Sequence, residues 1–214
     1  MKNFVVLDLD GTILDTLEGI TKAVNKALKF YNYDYEYDRA TVKTFIGNGA
    51  RRLFLLATKQ KEFNIELEKQ YVKFCEFYEE EQYVSKPYKG VKETLKKLND
   101  LNIGIIVYSN KPNFLLQNVM KSCFPEINFL ALQGQVEEYP VKPDVTLLNK
   151  ILKEHKLYNI NGLYVGDSYV DNLTAMNAQM DFLFCNYGYA KDGDNLKILG
   201  SEISNFSEIL DFLK

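Results

Sequence analysis

The sequence predicts an α/β fold, a doubly wound parallel Rossmann-like sheet with an inserted all-helical cap domain. Three observations predict it. Five short apolar runs, at residues 4–7, 103–108, 129–132, 163–165 and 182–185, are rich in β-branched and aromatic side chains and too short for buried helices. Strands buried on both faces of a parallel sheet read this way. The later runs alternate with segments of helical apolar spacing, as crossover units require. Between residues 10 and 103 there is no convincing strand, and that interval is far too long for a crossover.

In chain order, the first strand, residues 4–7, runs directly into Asp8 and Asp10. The long interval behind it has helical patterns: Leu17, Ile20, Val24, Ala27 and Leu28; Leu53, Leu56 and Ala57; Leu67, Tyr71, Phe74, Phe77 and Tyr78. Gly47-Asn48-Gly49 and Lys86-Pro87 punctuate it, as turn residues do. Residues 15–83 are therefore expected to form a helical insertion, and residues 1–14 and 84–214 the sheet domain. Val91, Leu95 and Leu98 mark a helix before the second strand, which ends in Ser109-Asn110. Leu115, Leu116 and Val119 mark the next helix, before the strand at 129–132. Lys142-Pro143 opens a helix carrying Leu147, Leu148, Ile151 and Leu152, with Asp144 as its candidate N-cap. The strand at 163–165 runs into Gly166-Asp167, and the one at 182–185 completes the set. The single histidine, His155, continues the apolar spacing of the preceding helix, so it is expected to pack at a helix end.

With 214 residues, 46% hydrophobic and 26% charged, the chain suits one globular domain carrying a smaller insertion. A net charge of -3 gives no basic footprint for a nucleic acid polymer or an anionic membrane. No apolar stretch approaches the roughly 18 residues of a membrane span, and no signal peptide is visible. The three cysteines, Cys75, Cys123 and Cys185, are far apart and form no CxxC pair. Reduced thiols in a cytoplasmic protein are expected, in a monomer or homodimer.

In open α/β sheets, ligands bind outside the carboxyl ends of the strands, and several of these strands end in polar groups. Asp8, Asp10, Asp167 and Asp171 are too many carboxylates to crowd together ionised without a cation, and hard oxygen donors at that density suit Mg²⁺. Asp167 and Asp171, four apart across a strand-to-helix turn, can face one point. Lys142 supplies a positive charge, and Ser109 and Asn110 supply neutral donors for phosphoryl oxygens. A carboxylate nucleophile, a metal, a lysine and uncharged donors make a phosphoryl-transfer site acting on a small phosphorylated metabolite. Lys111, beside them, is expected in solvent at least as much as against substrate.

The run Asp8-Leu9-Asp10-Gly11-Thr12 resembles the first motif of haloacid-dehalogenase-like phosphatases. Ser109-Asn110, Lys142-Pro143 and the run from Gly166-Asp167 to Asp171 resemble the second, third and fourth, in order and at compatible spacings. The resemblance spans essentially the whole chain, including a helical cap between the first and second motifs. It implies that Asp8 attacks phosphorus, and that Asp10 protonates the leaving oxygen and later deprotonates water. It also implies that Ser109 and Lys142 hold phosphoryl oxygens. Mg²⁺ would be held by Asp8, the Asp10 carbonyl and Asp167, with Asp171 acting on bound waters. Gly11 would allow a tight turn and Thr12 would fix it, close to the phosphate. Gln179 stands where relatives tend to have a helix-ending glycine, so the left-handed cap is expected to be missing there.

An acid at position 10 favours phosphate-ester chemistry over dehalogenation. The loop Ile46-Gly47-Asn48-Gly49-Ala50, followed by Arg51, resembles the cap loop of phosphoglycolate phosphatases. Asn48 and Arg51 are accordingly candidates for the substrate's carboxylate end. Pyrophosphatase, nucleoside monophosphate phosphatase and a beta-phosphoglucomutase-like sugar-phosphate mutase are the alternatives. A non-catalytic binding protein on the same fold would be expected to lack a motif residue, and none is missing.

Overall fold

The computed structural model describes residues 1–189 and 200–214. The chain begins with β1 (Phe4–Leu7) and a two-residue β2 (Leu14–Asp15), then passes through four helices: α1 (Leu17–Phe30), α2 (Arg39–Lys43), α3 (Gly49–Ala57) and α4 (Ile65–Glu81). It returns through β3 (Lys86–Pro87) to α5 (Val91–Asp100), β4 (Gly104–Pro112), α6 (Asn113–Cys123), β5 (Ala131–Gln135) and α7 (Thr146–Glu154). It ends with β6 (Gly162–Gly166), α8 (Tyr169–Asn177), β7 (Asp181–Cys185), β8 (Ser201–Ile203) and a 3₁₀ segment, Phe206–Phe212.

Six strands form one sheet in the order β5-β4-β1-β6-β7-β8, all neighbours parallel. The strand order reverses at β1, so the crevice for a ligand lies at its carboxyl end. Side chains of β1 alternate as a pleated strand demands. Val5 and Leu7 join the core against α5 and α6, while Phe4 and Val6 join the one against α7 and α8. All four are fully buried, which is why this strand reads as an uninterrupted apolar run. The four helices between β2 and β3 bury a cluster of their own, including Leu28, Phe54, Phe74 and Tyr78.

The expectations for elements needed four corrections. β8 was not foreseen: its three residues lack the apolar run of its neighbours, and its first two are exposed. The interval after Asp10 does hold strand, because Leu14 pairs with Pro87 and Asp15 with Lys86, antiparallel. The two chain crossings into and out of the helical insertion are thereby joined as one ribbon. Gln179 does adopt the left-handed cap, with φ 54°, and the Met180 N–H closes back on the Ala175 carbonyl at 2.9 Å. His155 stands at the end of α7 but is exposed instead of packed. Asp144 caps as expected, one residue outside the assigned boundary: its Oδ1 accepts the Thr146 N–H at 2.8 Å. Among the described residues no helix is long and apolar enough to cross a membrane.

Candidate active site

The parallel register that matches Leu7 with Val107 and with Val165 brings the ends of β1, β4 and β6 level. Asp8 and Asp10 follow β1, Ser109 to Lys111 occupy the end of β4, and Asp167 follows β6. Asp171 lies in the first turn of α8, held by a capping box: the Ser168 hydroxyl accepts the Asp171 N–H at 3.2 Å, and Asp171 Oδ2 accepts the Ser168 N–H at 3.1 Å. That anchorage turns Oδ1 of Asp171 toward Lys142. The Lys142 ammonium donates to Asp8 Oδ1 at 2.7 Å, to Asp171 Oδ1 at 2.7 Å and to the Tyr108 carbonyl at 3.3 Å. All three of its protons are thus committed.

Asp8, Asp167 and Asp171 are buried, and each offers a carboxylate oxygen within 4.8 Å of the others. Burial, opposed by Lys142, pushes the Asp8 carboxyl up to about 7. Burial, reinforced by repulsion from Asp171 and Asp8, holds Asp167 well above the usual carboxylate range. Burial alone would lower Lys142, but Asp171 and Asp8 together carry it well above its ordinary value. Three carboxylates against one ammonium leave excess negative charge in a buried place. A hard divalent cation taking oxygen ligands would relieve it. The donor set fits such an ion.

A cavity of about 670 Å³ opens over this cluster. Asp8, Asp10, Ser109, Asn110, Lys142 and Asp167 line its floor, and Asn48 lines the wall contributed by the helical insertion. Other expected site residues have different work. Thr12 is fully buried, donates to Asp167 Oδ1 at 2.9 Å and does not line the cavity. Gly11, with φ +91°, also stays off the cavity wall; a Cβ there would lie 2.2 Å from Asp167 Oδ2. Both residues therefore support Asp167 instead of lying against phosphate. The Asn110 amide donates to the Gly47 carbonyl at 3.0 Å and the Lys142 carbonyl at 3.3 Å, and its oxygen accepts the Lys142 N–H at 2.7 Å. Its side-chain donors are spent on joining β4, the Lys142 loop and the insertion, so they are not available to phosphoryl oxygens.

Arg51 is corrected as well. Its guanidinium grips Glu68 with two bonds, one of 3.0 Å, and lies 4.1 Å from the Phe63 ring centroid. It is absent from the cavity lining. An arginine directly after a glycine loop is an ambiguous signal, because its partner Glu68 lies 17 residues away, on a different helix.

Two residues of the site, Lys43 and Tyr189, carry no expectation from the sequence, and a third, Lys111, is expected in solvent at least as much as against substrate. Lys111 is buried, not in solvent; its ammonium lies 3.4 Å from Asp10 Oδ1 and bonds the Tyr78 hydroxyl of α4. Burial lowers its pKa, against the attraction of Asp10. Lys43, at the end of α2, is half-buried and lines the cavity. Tyr189 lies beyond β7, and its N–H donates to Asp167 Oδ2 at 2.5 Å. A polar residue after Gly188 at the carboxyl end of a strand was the available signal for Tyr189.

Residues 5–185 match a family described as haloacid dehalogenase-like hydrolase. A phosphoglycolate phosphatase from Photobacterium profundum is 30% identical, across 99% of this chain and 95% of its own. One from Vibrio cholerae is 32% identical, across 86% of this chain and 84% of its own. The solved structure of a predicted phosphoglycolate phosphatase from Haemophilus somnus superposes with a TM-score of 0.86 at 26% identity, covering 100% of this chain and 98% of that one.

Proposed function

The chain belongs to the haloacid dehalogenase-like hydrolase family and is a phosphatase, and we propose that it is a Mg²⁺-dependent cytoplasmic enzyme whose substrate is phosphoglycolate. Residues 15–83 act as a cap over the catalytic core formed by 1–14 and 84–214. The enzyme works as a monomer or homodimer.

In the first step Asp8 attacks the substrate phosphorus, the phosphorus–oxygen ester bond breaks, and the leaving oxygen takes a proton from Asp10. An aspartyl phosphate on Asp8 results. In the second step Asp10 takes a proton from water as it attacks the same phosphorus, which returns Asp8 and releases inorganic phosphate. Ser109 orients the phosphoryl group, and Lys142, whose protons go to Asp8, Asp171 and the Tyr108 carbonyl, offsets its charge. The cation, held by Asp8, Asp167 and the Asp10 carbonyl, supplies further charge neutralisation on phosphoryl oxygens when bound. Asp171, which bonds Lys142 and Ser168, holds the lysine in place and would act mainly on waters bound to the cation.

Lys43 carries the substrate choice. Among the described residues that line the cavity, it is the one formally charged side chain contributed by residues 15–83. A cap that presents a lone cation to the cavity favours a substrate with an anionic tail. The relatives named phosphoglycolate phosphatase support the same choice. Comparing kcat/KM for phosphoglycolate, an aryl phosphate, pyrophosphate and a nucleoside monophosphate tests it. Phosphoglycolate should be preferred, and Lys43→Met should lower its kcat/KM by about 10- to 100-fold, the cost of a lost charged hydrogen bond. The aryl phosphate should change little. A wild-type preference for pyrophosphate or the nucleotide would overturn the substrate.

A further inference from the structure

Tyr189 touches both the carboxylate cluster and the point where the chain enters the helical insertion. Its backbone N–H holds Asp167 Oδ2 at 2.5 Å. Its hydroxyl oxygen accepts the N–H of Thr16 at 2.6 Å and of Leu17 at 2.9 Å, and the hydroxyl proton goes to Asp15 Oδ1 at 2.6 Å. The first N–H groups of a helix have no partner within it, and a Thr at the cap position ordinarily supplies one. Here the Thr16 side chain caps nothing: its hydroxyl is buried without a partner. A tyrosine 173 residues away does the capping.

The connection from hydroxyl to carboxylate has little slack. A Cβ on Gly11 would lie 2.9 Å from the Tyr189 ring and 2.2 Å from Asp167 Oδ2. A Cβ on Gly188 would lie 2.3 Å from the Asp167 Cβ and 2.4 Å from the Gly11 carbonyl. Asp167 cannot yield by turning, because Thr12 holds its other oxygen at 2.9 Å. The entry point, in turn, is tied to the exit point by the pairing of Asp15 with Lys86.

We propose that Tyr189 is a positioning residue that couples the insertion's entry segment, Asp15 to Leu17, to Asp167. Displacing α1 from the sheet domain must either break three bonds at the hydroxyl or drag residue 189 and, with it, Asp167. The coupling is reciprocal: a cation that fixes Asp167 also fixes the entry segment, and the intact hydroxyl contacts hold Asp167 ready for the cation. This coupling rests on Asp167 being a cation ligand, as proposed above.

The test uses amide hydrogen exchange and calorimetry of Mg²⁺ binding on the full chain without substrate. Thr16 is the cleaner reporter, because the Leu17 N–H also has Asp15 Oδ1 at 3.3 Å. In the wild type, Mg²⁺ should slow exchange at Thr16. In Tyr189→Phe, which keeps the ring and the backbone N–H, exchange at Thr16 should be faster by about tenfold, its response to Mg²⁺ should vanish, and Mg²⁺ should bind about fivefold more weakly or worse. Amides of β1 and β4 should be unchanged. Asp15→Ala, which removes the hydroxyl's acceptor and leaves Tyr189 intact, should shift the same quantities in the same direction. Wild-type Mg²⁺ affinity in Tyr189→Phe, or Thr16 exchange in the wild type that ignores bound Mg²⁺, would overturn the coupling while leaving the metal-dependent phosphatase standing. A wild type that binds no Mg²⁺ would overturn both.

Discussion

Lys142 Nζ stands 2.7 Å from Asp8 Oδ1, in a pair formed by residues 134 apart in sequence and almost wholly removed from water. Even so, burial outweighs the lysine, and Asp8 is pushed up to about 7 from an ordinary 3.8. In the metal-free protein the fold therefore holds a proton on Asp8 that the unfolded chain releases near 3.8. Between those values the folded state binds more protons, so stability from this group is full below about 4 and is lost as pH climbs toward 7. Bound Mg²⁺ favours the ionised carboxylate and removes the dependence. The Mg²⁺-induced rise in Tm should accordingly grow from pH 4 to pH 7. A gain that is constant across that window, measured against metal-stripped protein, would contradict this.

Asp10 is the less buried of the first two aspartates, and the Lys111 ammonium stands 3.4 Å from its Oδ1. If it donates the proton to the leaving oxygen, the need for it rises with the basicity of that oxygen. Asp10→Asn should cost about 100-fold or more in kcat for an alkyl phosphate, and much less for an activated aryl phosphate. Equal losses on the two substrates would remove the acid role.

The core of the site was legible because its residues sit where strands end, and strand ends are marked by an abrupt change from apolar to polar. Asp8, Ser109 and Asp167 are all of this kind. Residues that reach the site from elsewhere carried no such mark. Tyr78 lies within the apolar face of α4, and its hydroxyl contact with Lys111 depends on how the insertion docks. Lys43 ends a five-residue helix, where a lysine is also expected simply to complement the helix dipole. Helix ends were poorly marked for a different reason. Asn32, Lys59, Asn102, Lys156 and Gln179 all take positive φ just past helices, where glycine would have been the readable signal.

That substitution pattern predicts a gain of stability. Gln179 has φ 54° and carries a Cβ in a conformation where glycine has no steric penalty. The backbone closure it serves, Met180 to Ala175, uses no side-chain atom. Gln179→Gly should therefore stabilise the fold by about 0.5–1 kcal/mol, a Tm rise of roughly 1–4 °C in a chain of this size. Unchanged or lower Tm would mean that the glutamine side chain contributes contacts that offset the strain.

Arg51 tests the distinction between the cap's structure and its contact with substrate. Its guanidinium is divided between Glu68, Phe63 and Tyr71, with the Arg51 and Glu68 side chains about two-fifths exposed. An ion pair that open to solvent is screened and contributes at most about 1 kcal/mol. Contact with the two rings adds about 0.5–1 kcal/mol. Arg51→Ala should thus lower stability by about 0.5–2 kcal/mol through loosened packing of α3 against α4. Because the residue does not line the cavity, kcat/KM for phosphoglycolate and for an aryl phosphate should fall in the same proportion. Lys43→Met should do the reverse, separating the two substrates while leaving Tm nearly unchanged. If Arg51→Ala instead spared the aryl phosphate and impaired phosphoglycolate alone, the guanidinium would have to leave Glu68 during turnover, and Lys43 would no longer be the cation that selects the tail.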